Sequence, residues 1–168
     1  NAVRYDTPNL NGFKASVLYG TDENRYKTAS GERSNSSVWN IGAGYEYAGY
    51  YVDAGYTYWG DANPTKDANG VVTAGGDKSA NYWRLEGGYA ANNLLVALAY
   101  GQSKTYGSTL FGDTMSAARI LNASADQYDS IAAGDKVQAK EMALTVAYTM
   151  GNFTPRFSYA RVFDINVT

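Results

Sequence analysis

The 168-residue chain contains no cysteine and no histidine, and it has only three prolines. Without cysteine and histidine it can form neither a disulfide nor a zinc site built on those side chains. It also lacks the components of a Ser-His or Cys-His catalytic apparatus, which leaves only carboxylates for enzymatic chemistry. We therefore expect no metal site, no cofactor and no enzymatic activity.

Long hydrophobic runs and a strong charge imbalance are also missing. The longest apolar stretch, residues 94–100, has the length of a strand, so the sequence predicts no membrane helix. A net charge of -2 gives no electrostatic basis for binding nucleic acid. The chain is instead rich in tyrosine and glycine, with 16 and 18 residues, a composition typical of sheets and turns.

Apolar and polar residues alternate with a period of two along much of the chain. In residues 39–47, for example, Trp39, Ile41 and Tyr45 share one phase, while glycines and Glu46 occupy the other. Such segments are predicted to be strands with one apolar and one polar face. A soluble sheet buries its apolar face in a core, whereas a transmembrane barrel turns that face toward lipid and its polar face toward a lumen.

About eight segments follow this pattern, each near the length that a tilted membrane strand needs. They are 2–6, 13–20, 38–48, 51–59, 81–90, 94–102, 141–150 and 156–163. Short and long connections alternate along the chain, and the long ones lie near 21–37, 60–80 and 103–140. In an up-and-down meander all long connections then fall at one rim, as do the external loops of outer-membrane barrels. We predict an all-β, antiparallel up-and-down transmembrane β-barrel, with residues 1–168 forming part of one domain.

The two phases predict two sets of functional residues. The polar phase carries charges of both signs among small residues, as a water-filled lumen requires. The candidate pore-lining residues are Arg4, Lys14, Glu46, Asp53, Arg84, Glu86 and Arg156. The apolar phase carries aromatic residues near the strand ends, which is the placement of aromatic girdles at membrane interfaces. The candidate girdle residues are Tyr5, Tyr19, Trp39, Tyr47, Tyr58, Trp83, Tyr89, Tyr100, Tyr148 and Tyr159.

The segment Val-Arg-Tyr-Asp-Thr-Pro at 3–8, followed by Asn-Gly-Phe at 11–13, resembles a segment of the general diffusion porins of Gram-negative bacteria, especially those of beta-proteobacteria. Residues 42–45 and 154–160 are similar to later strands of that family. The resemblance implies a barrel of about sixteen strands assembled as a homotrimer. This chain would supply about eight of those strands, as an interior fragment.

The same resemblance implies passive diffusion of ions and small hydrophilic solutes across the bacterial outer membrane, in contact with outer-membrane lipid and lipopolysaccharide. Pore width and charge would set selectivity. In the family, the strand that matches 2–6 supplies an arginine to the basic wall of a constriction, and Arg4 stands at that place. Lys14 follows in the same phase of the next strand, and Arg4→Ala is expected to reduce anion preference.

Two alternatives remain open at this point. The chain could be a small closed barrel of about eight strands with a structural or adhesive role, its interior filled by side chains. The many glycines of the polar phase count against this because they would leave the interior underfilled. A soluble sandwich could instead offer Trp39, Trp59 and Trp83 to sugars, but Trp59 lies in the opposite phase from the other two.

Overall fold

The computed structural model describes residues 1–21, 37–60, 65–66, 72–74, 78–106 and 135–168, and strands are its regular structure. The strands are β1 (Ala2–Asp6), β2 (Phe13–Gly20), β3 (Val38–Tyr47), β4 (Tyr50–Trp59), β5 (Thr65–Lys66), β6 (Val72–Ala74), β7 (Ala80–Ala91), β8 (Leu94–Tyr106), β9 (Lys136–Tyr148), β10 (Arg156–Val162) and β11 (Asn166–Val167). Among the described residues, no helix combines the length and apolar character needed to cross a membrane.

The main sheet has the order β1-β2-β3-β4-β7-β8-β9-β10, with every neighbouring pair antiparallel. Strands β5 and β6 form a separate hairpin within the connection from β4 to β7. Strand β11 pairs with β9 beyond the end of β10. Each long strand therefore lies beside the next one along the chain, and the predicted antiparallel up-and-down arrangement is confirmed.

Tight turns fix how the strands align. The two-residue turns at 48–49 and 92–93 have positive φ at both positions. The values are 52° for Ala48, 86° for Gly49, 52° for Asn92 and 64° for Asn93. Positive φ at both central residues is the mark of a type I′ turn, whose twist matches that of the strands it joins. Because a one-residue slip would move every side chain to the other face, these turns help to keep the apolar phases of successive strands on one face.

The third long connection is shorter than predicted. Strand β8 continues to Tyr106 and β9 already begins at Lys136, so both ends of the predicted loop 103–140 lie in strands. Polar residues occupy the apolar phase in these two segments, so the alternation predicts that the strands end there. The backbone hydrogen bonding between β8 and β9 nevertheless continues. Residues 22–36, 61–64, 67–71, 75–77 and 107–134 of the long connections lie outside the described residues. Their position at an external rim stays a prediction.

The described part of the sheet is a single layer without a packed core. Its buried apolar side chains are those of Ala80, Ala99 and Ala147, and no large side chain in the described ranges is fully buried. Large apolar side chains are instead exposed: Leu98 is 52% exposed and Ile41 is 47% exposed. A soluble sandwich would cover such residues with a second sheet. The arrangement therefore does not support the sandwich alternative.

The sheet is also open. Strands β1 and β10 lie at its edges, and no pairing joins them in the ranges that the structure describes. The arrangement therefore does not have the form of a small closed eight-stranded barrel. An open edge presents unpaired backbone groups that a further strand would satisfy, so this sheet has the form of a section of a larger barrel.

Candidate functional site: the polar face of the sheet

The cross-strand pairs carry one polar face across the whole sheet. Along one row, Lys14 lies opposite Gly44, Gly44 opposite Asp53, and Asp53 opposite Glu86. Since side chains alternate along each strand, this row determines on which face each of the remaining strand residues lies. All seven predicted pore-lining residues lie on this face. That they line a pore stays a prediction.

Four of the seven surround one open hollow of about 540 Å³ on this face, between β1 and β4. They are Arg4, Lys14, Glu46 and Asp53. Arg4 is bound to Asp6 on the same strand, with its Nε 2.9 Å and its Nη2 2.7 Å from the carboxylate oxygens. Lys14 forms no ion pair with a described carboxylate. The positive charge of Arg4 is thus balanced locally, whereas no described carboxylate pairs with Lys14.

A second hollow, of about 370 Å³, lies over β4 and β7 and is lined by Asp53, Arg84 and Glu86. Arg84 Nη2 donates a hydrogen bond to Glu86 Oε2 at 2.5 Å. The pairing repeats that of the first hollow: an arginine and a carboxylate two positions later, which in a strand share a face. The spacing of two is visible in the sequence of both strands, at residues 4 and 6 and at residues 84 and 86.

Arg156 stands apart from the other six residues. It lies on β10, at the opposite edge of the sheet from β1, and it lines neither of the two hollows. Its Nε donates to Ser158 Oγ at 3.3 Å, and that hydroxyl lies 3.2 Å from Thr145 Oγ1. Near β10 the polar face therefore carries hydroxyl groups around the single cation of Arg156.

Sequence reasoning missed two tyrosines on the polar face. The Tyr51 hydroxyl donates to Glu86 Oε1 at 3.2 Å, and the Tyr82 hydroxyl donates to Glu141 Oε1 at 2.6 Å. Both tyrosines are in phase with charged neighbours, Tyr51 with Asp53 for example, so counting by twos would have assigned them to this face. Within the described ranges, no group of three or more His, Cys, Asp or Glu residues could hold a metal ion.

The opposite face is apolar and aromatic. All ten predicted girdle residues lie on it, as the same cross-strand pairs show. Aromatic rings there contact one another across strands, with centroids 4.5 Å apart for Tyr19 and Trp39 and 5.5 Å apart for Trp83 and Tyr100. Such pairs add to the stability of a sheet. Their position at a membrane interface stays a prediction.

This single sheet, with a charged face and an exposed apolar face, is the geometry of a barrel wall in a membrane. The sequence model of the Gram-negative porin family matches residues 1–168, the whole chain. The chain belongs to the Gram-negative porin family. The resemblance seen in the sequence is thereby confirmed.

Individual relatives of this porin are outer-membrane proteins of Neisseria. The major outer membrane protein P.IB of Neisseria gonorrhoeae is 28% identical, over 96% of this chain and 40% of the relative. The P.IB protein of Neisseria sicca is 30% identical, over 96% of this chain and 42% of the relative. The P.IA protein of Neisseria meningitidis serogroup C is 28% identical, over 98% of this chain and 44% of the relative. The chain thus spans about two fifths of the length of the curated relatives it matches. With the family, these relatives support location in the outer membrane as an integral protein.

Proposed function

We propose that the polar face lines a water-filled channel through which ions and small hydrophilic solutes diffuse passively. The observation that carries this proposal is the single-layer sheet, whose apolar side chains are exposed on one face and whose charges lie on the other. Such a sheet is stable where one face meets lipid and the other meets water. Diffusion needs no chemical step, so the proposal includes no enzymatic activity and no cofactor.

The test is the conductance of the full-length protein in planar lipid bilayers. We expect stepwise increases of current, with a conductance that rises in proportion to salt concentration because the lumen is filled with water. Folded protein, verified by its β-sheet circular dichroism, that gives no current steps at any concentration would contradict the channel.

The remaining strands and the assembly are also part of the proposal. The open edges at β1 and β10 support a larger barrel, which the family resemblance sets at about sixteen strands. The resemblance also implies a homotrimer, with the long connections at the external rim. Native mass spectrometry of the detergent-extracted protein should give three times the mass of one full-length chain, and a single-chain mass would contradict the trimer.

Arg4 is expected to reduce cation preference in the channel because it neutralises Asp6. Arg4→Ala removes one positive charge and leaves Asp6 unpaired, so the reversal potential in a salt gradient should move toward cation preference. Removing Asp6 as well should return the potential close to that of the unmodified protein, because the pair has no net charge. A single substitution that leaves the potential unchanged would remove Arg4 from the selectivity argument.

Lipopolysaccharide is the proposed lipid partner, and four cations support it. Lys104, Lys136, Lys140 and Arg161, which we call the basic band, lie on the apolar face where β8 to β10 approach the third long connection. None of them forms an ion pair with a described carboxylate. Each cation near an anionic lipid surface contributes roughly 1 kcal/mol, so the band would attract phosphate groups of a lipid whose chains cover the apolar residues below.

Neutralising three of the four cations of the basic band should weaken binding of the lipid. In the full-length protein, replacing Lys104, Lys140 and Arg161 together by Gln is expected to weaken retention of lipopolysaccharide in detergent by roughly tenfold or more. Lys14→Gln, on the polar face, is the matched control and should leave retention unchanged. Equal retention by the triple variant and the control would show that the band does not bind this lipid.

A further inference from the structure

Tyr82 reaches across a neighbouring strand on the polar face. It starts on β7, passes over β8 at Gly101 and donates its hydroxyl to Glu141 Oε1 on β9 at 2.6 Å. A Cβ atom at position 101 would lie 2.9 Å from the Tyr82 hydroxyl oxygen and 3.2 Å from Glu141 Oε1. Tyr82 can therefore lie against the wall only because residue 101 has no side chain.

A related contact occurs on the adjacent strand, β4. Tyr51 on β4 lies over Gly88 of β7, and its hydroxyl donates to Glu86 Oε1 at 3.2 Å. A Cβ atom at position 88 would lie 3.0 Å from two ring carbons of Tyr51. In both places a tyrosine lies over a glycine of the next strand and donates to a carboxylate, which lies on the strand beyond that glycine for Tyr82 and on the same strand as the glycine for Tyr51.

We propose that Gly101 and Gly88 set the bore of the channel by allowing Tyr82 and Tyr51 to lie along its wall. The proposal rests on the proposed function, since the bore matters only if this face lines a channel. A tyrosine that stood away from the sheet would occupy the space through which solutes pass. It would also release its carboxylate, which the hydroxyl now holds close to the wall.

Gly101 is the better position for a test, because a methyl group there disturbs the backbone far less than one at Gly88. At position 101 the nearest neighbour of an added methyl group is the hydroxyl of Tyr82, the far end of a side chain that can move away, and the nearest backbone atom, the carbonyl oxygen of Trp83, lies at 3.2 Å and has to shift by only a few tenths of an ångström. At position 88 the methyl group would overlap the backbone carbonyl oxygen of Val96 and so disturb the sheet itself. Gly55, on the same polar face, is the matched control because a Cβ atom there would meet nothing within 4 Å.

Single-channel conductance of the full-length protein provides the first measurement. Gly101→Ala should lower it by roughly a tenth to a third, because Tyr82 moves into the lumen. Gly55→Ala adds the same methyl group and should leave it unchanged. In a Tyr82→Ala background, Gly101→Ala should have no further effect, since the side chain that would move is gone. A loss of equal size in that background, or equal conductance of the two glycine variants, would overturn the proposal.

A second measurement does not depend on a channel. Nitration of the folded protein by tetranitromethane, located by peptide mass spectrometry, should increase several-fold at Tyr82 in Gly101→Ala and not in Gly55→Ala. Increased nitration in a protein that gives no current steps would contradict the channel while keeping the tyrosine contact. Unchanged nitration at Tyr82 would overturn the contact, whatever the conductance of the protein.

Discussion

Replacing Leu98 by Arg is expected to destabilise the folded protein in lipid bilayers by about 2–4 kcal/mol, the cost of a charged residue on the lipid face near the bilayer centre. Leu98 is 52% exposed and lies on the apolar face between Gly87 and Leu144. On a water-facing surface, a half-exposed leucine would tolerate this change with little loss. The size of the loss therefore tells whether this face meets lipid or water.

The matched control for Leu98→Arg is Thr145→Arg. Thr145 lies on the polar face, opposite Ala97 and thus at a level of the sheet close to that of Leu98. An arginine there would point into the proposed lumen, where water solvates it, so the free energy of unfolding should change by less than about 1 kcal/mol. Denaturant unfolding of the full-length protein in liposomes measures both. Equal losses for the two variants would contradict the assignment of the faces.

The alternation of apolar and polar residues was enough to predict the sheet and its faces. Strands β1 and β2 have the predicted bounds, and Arg4 and Asp53 lie on the predicted face. These features depend on the period of the pattern and on turn residues, both of which are local in sequence. The ends of β8 and β9 were missed because Lys104 and Lys140 interrupt the apolar phase while the backbone pairing continues.

Contacts that span several strands could not be predicted in the same way. The Tyr82–Glu141 hydrogen bond requires β7, β8 and β9 to be aligned at once, and the connection between β8 and β9 is long. A long connection leaves the alignment of two strands undetermined, whereas a two-residue turn fixes it. The Arg4–Asp6 pair can be predicted without the alignment of different strands, because residues two apart in one strand always share a face.

Gly12→Ala should be the most damaging change of a single methyl group at a turn, costing more than about 2 kcal/mol. Gly12 has φ of +96°, a conformation that residues with a side chain rarely adopt. A Cβ atom there would also overlap the backbone carbonyl oxygen of Glu46, while the Glu46 amide donates to the Gly12 carbonyl at 3.0 Å. The turn between β1 and β2 would have to move away from the end of β3.

Gly151→Ala is the matched control for that loss. Gly151 also has positive φ, at +59°, but a Cβ atom there would meet nothing within 4 Å. Its substitution should cost only the backbone strain, about 1–2 kcal/mol. Denaturant unfolding of both variants in liposomes gives the difference, which combines the contact of Gly12 with Glu46 and the greater strain of a side chain at φ of +96° than at +59°. If the two losses were equal, backbone strain alone would explain them, and packing of the β1–β2 turn against β3 would contribute nothing to the stability of this wall.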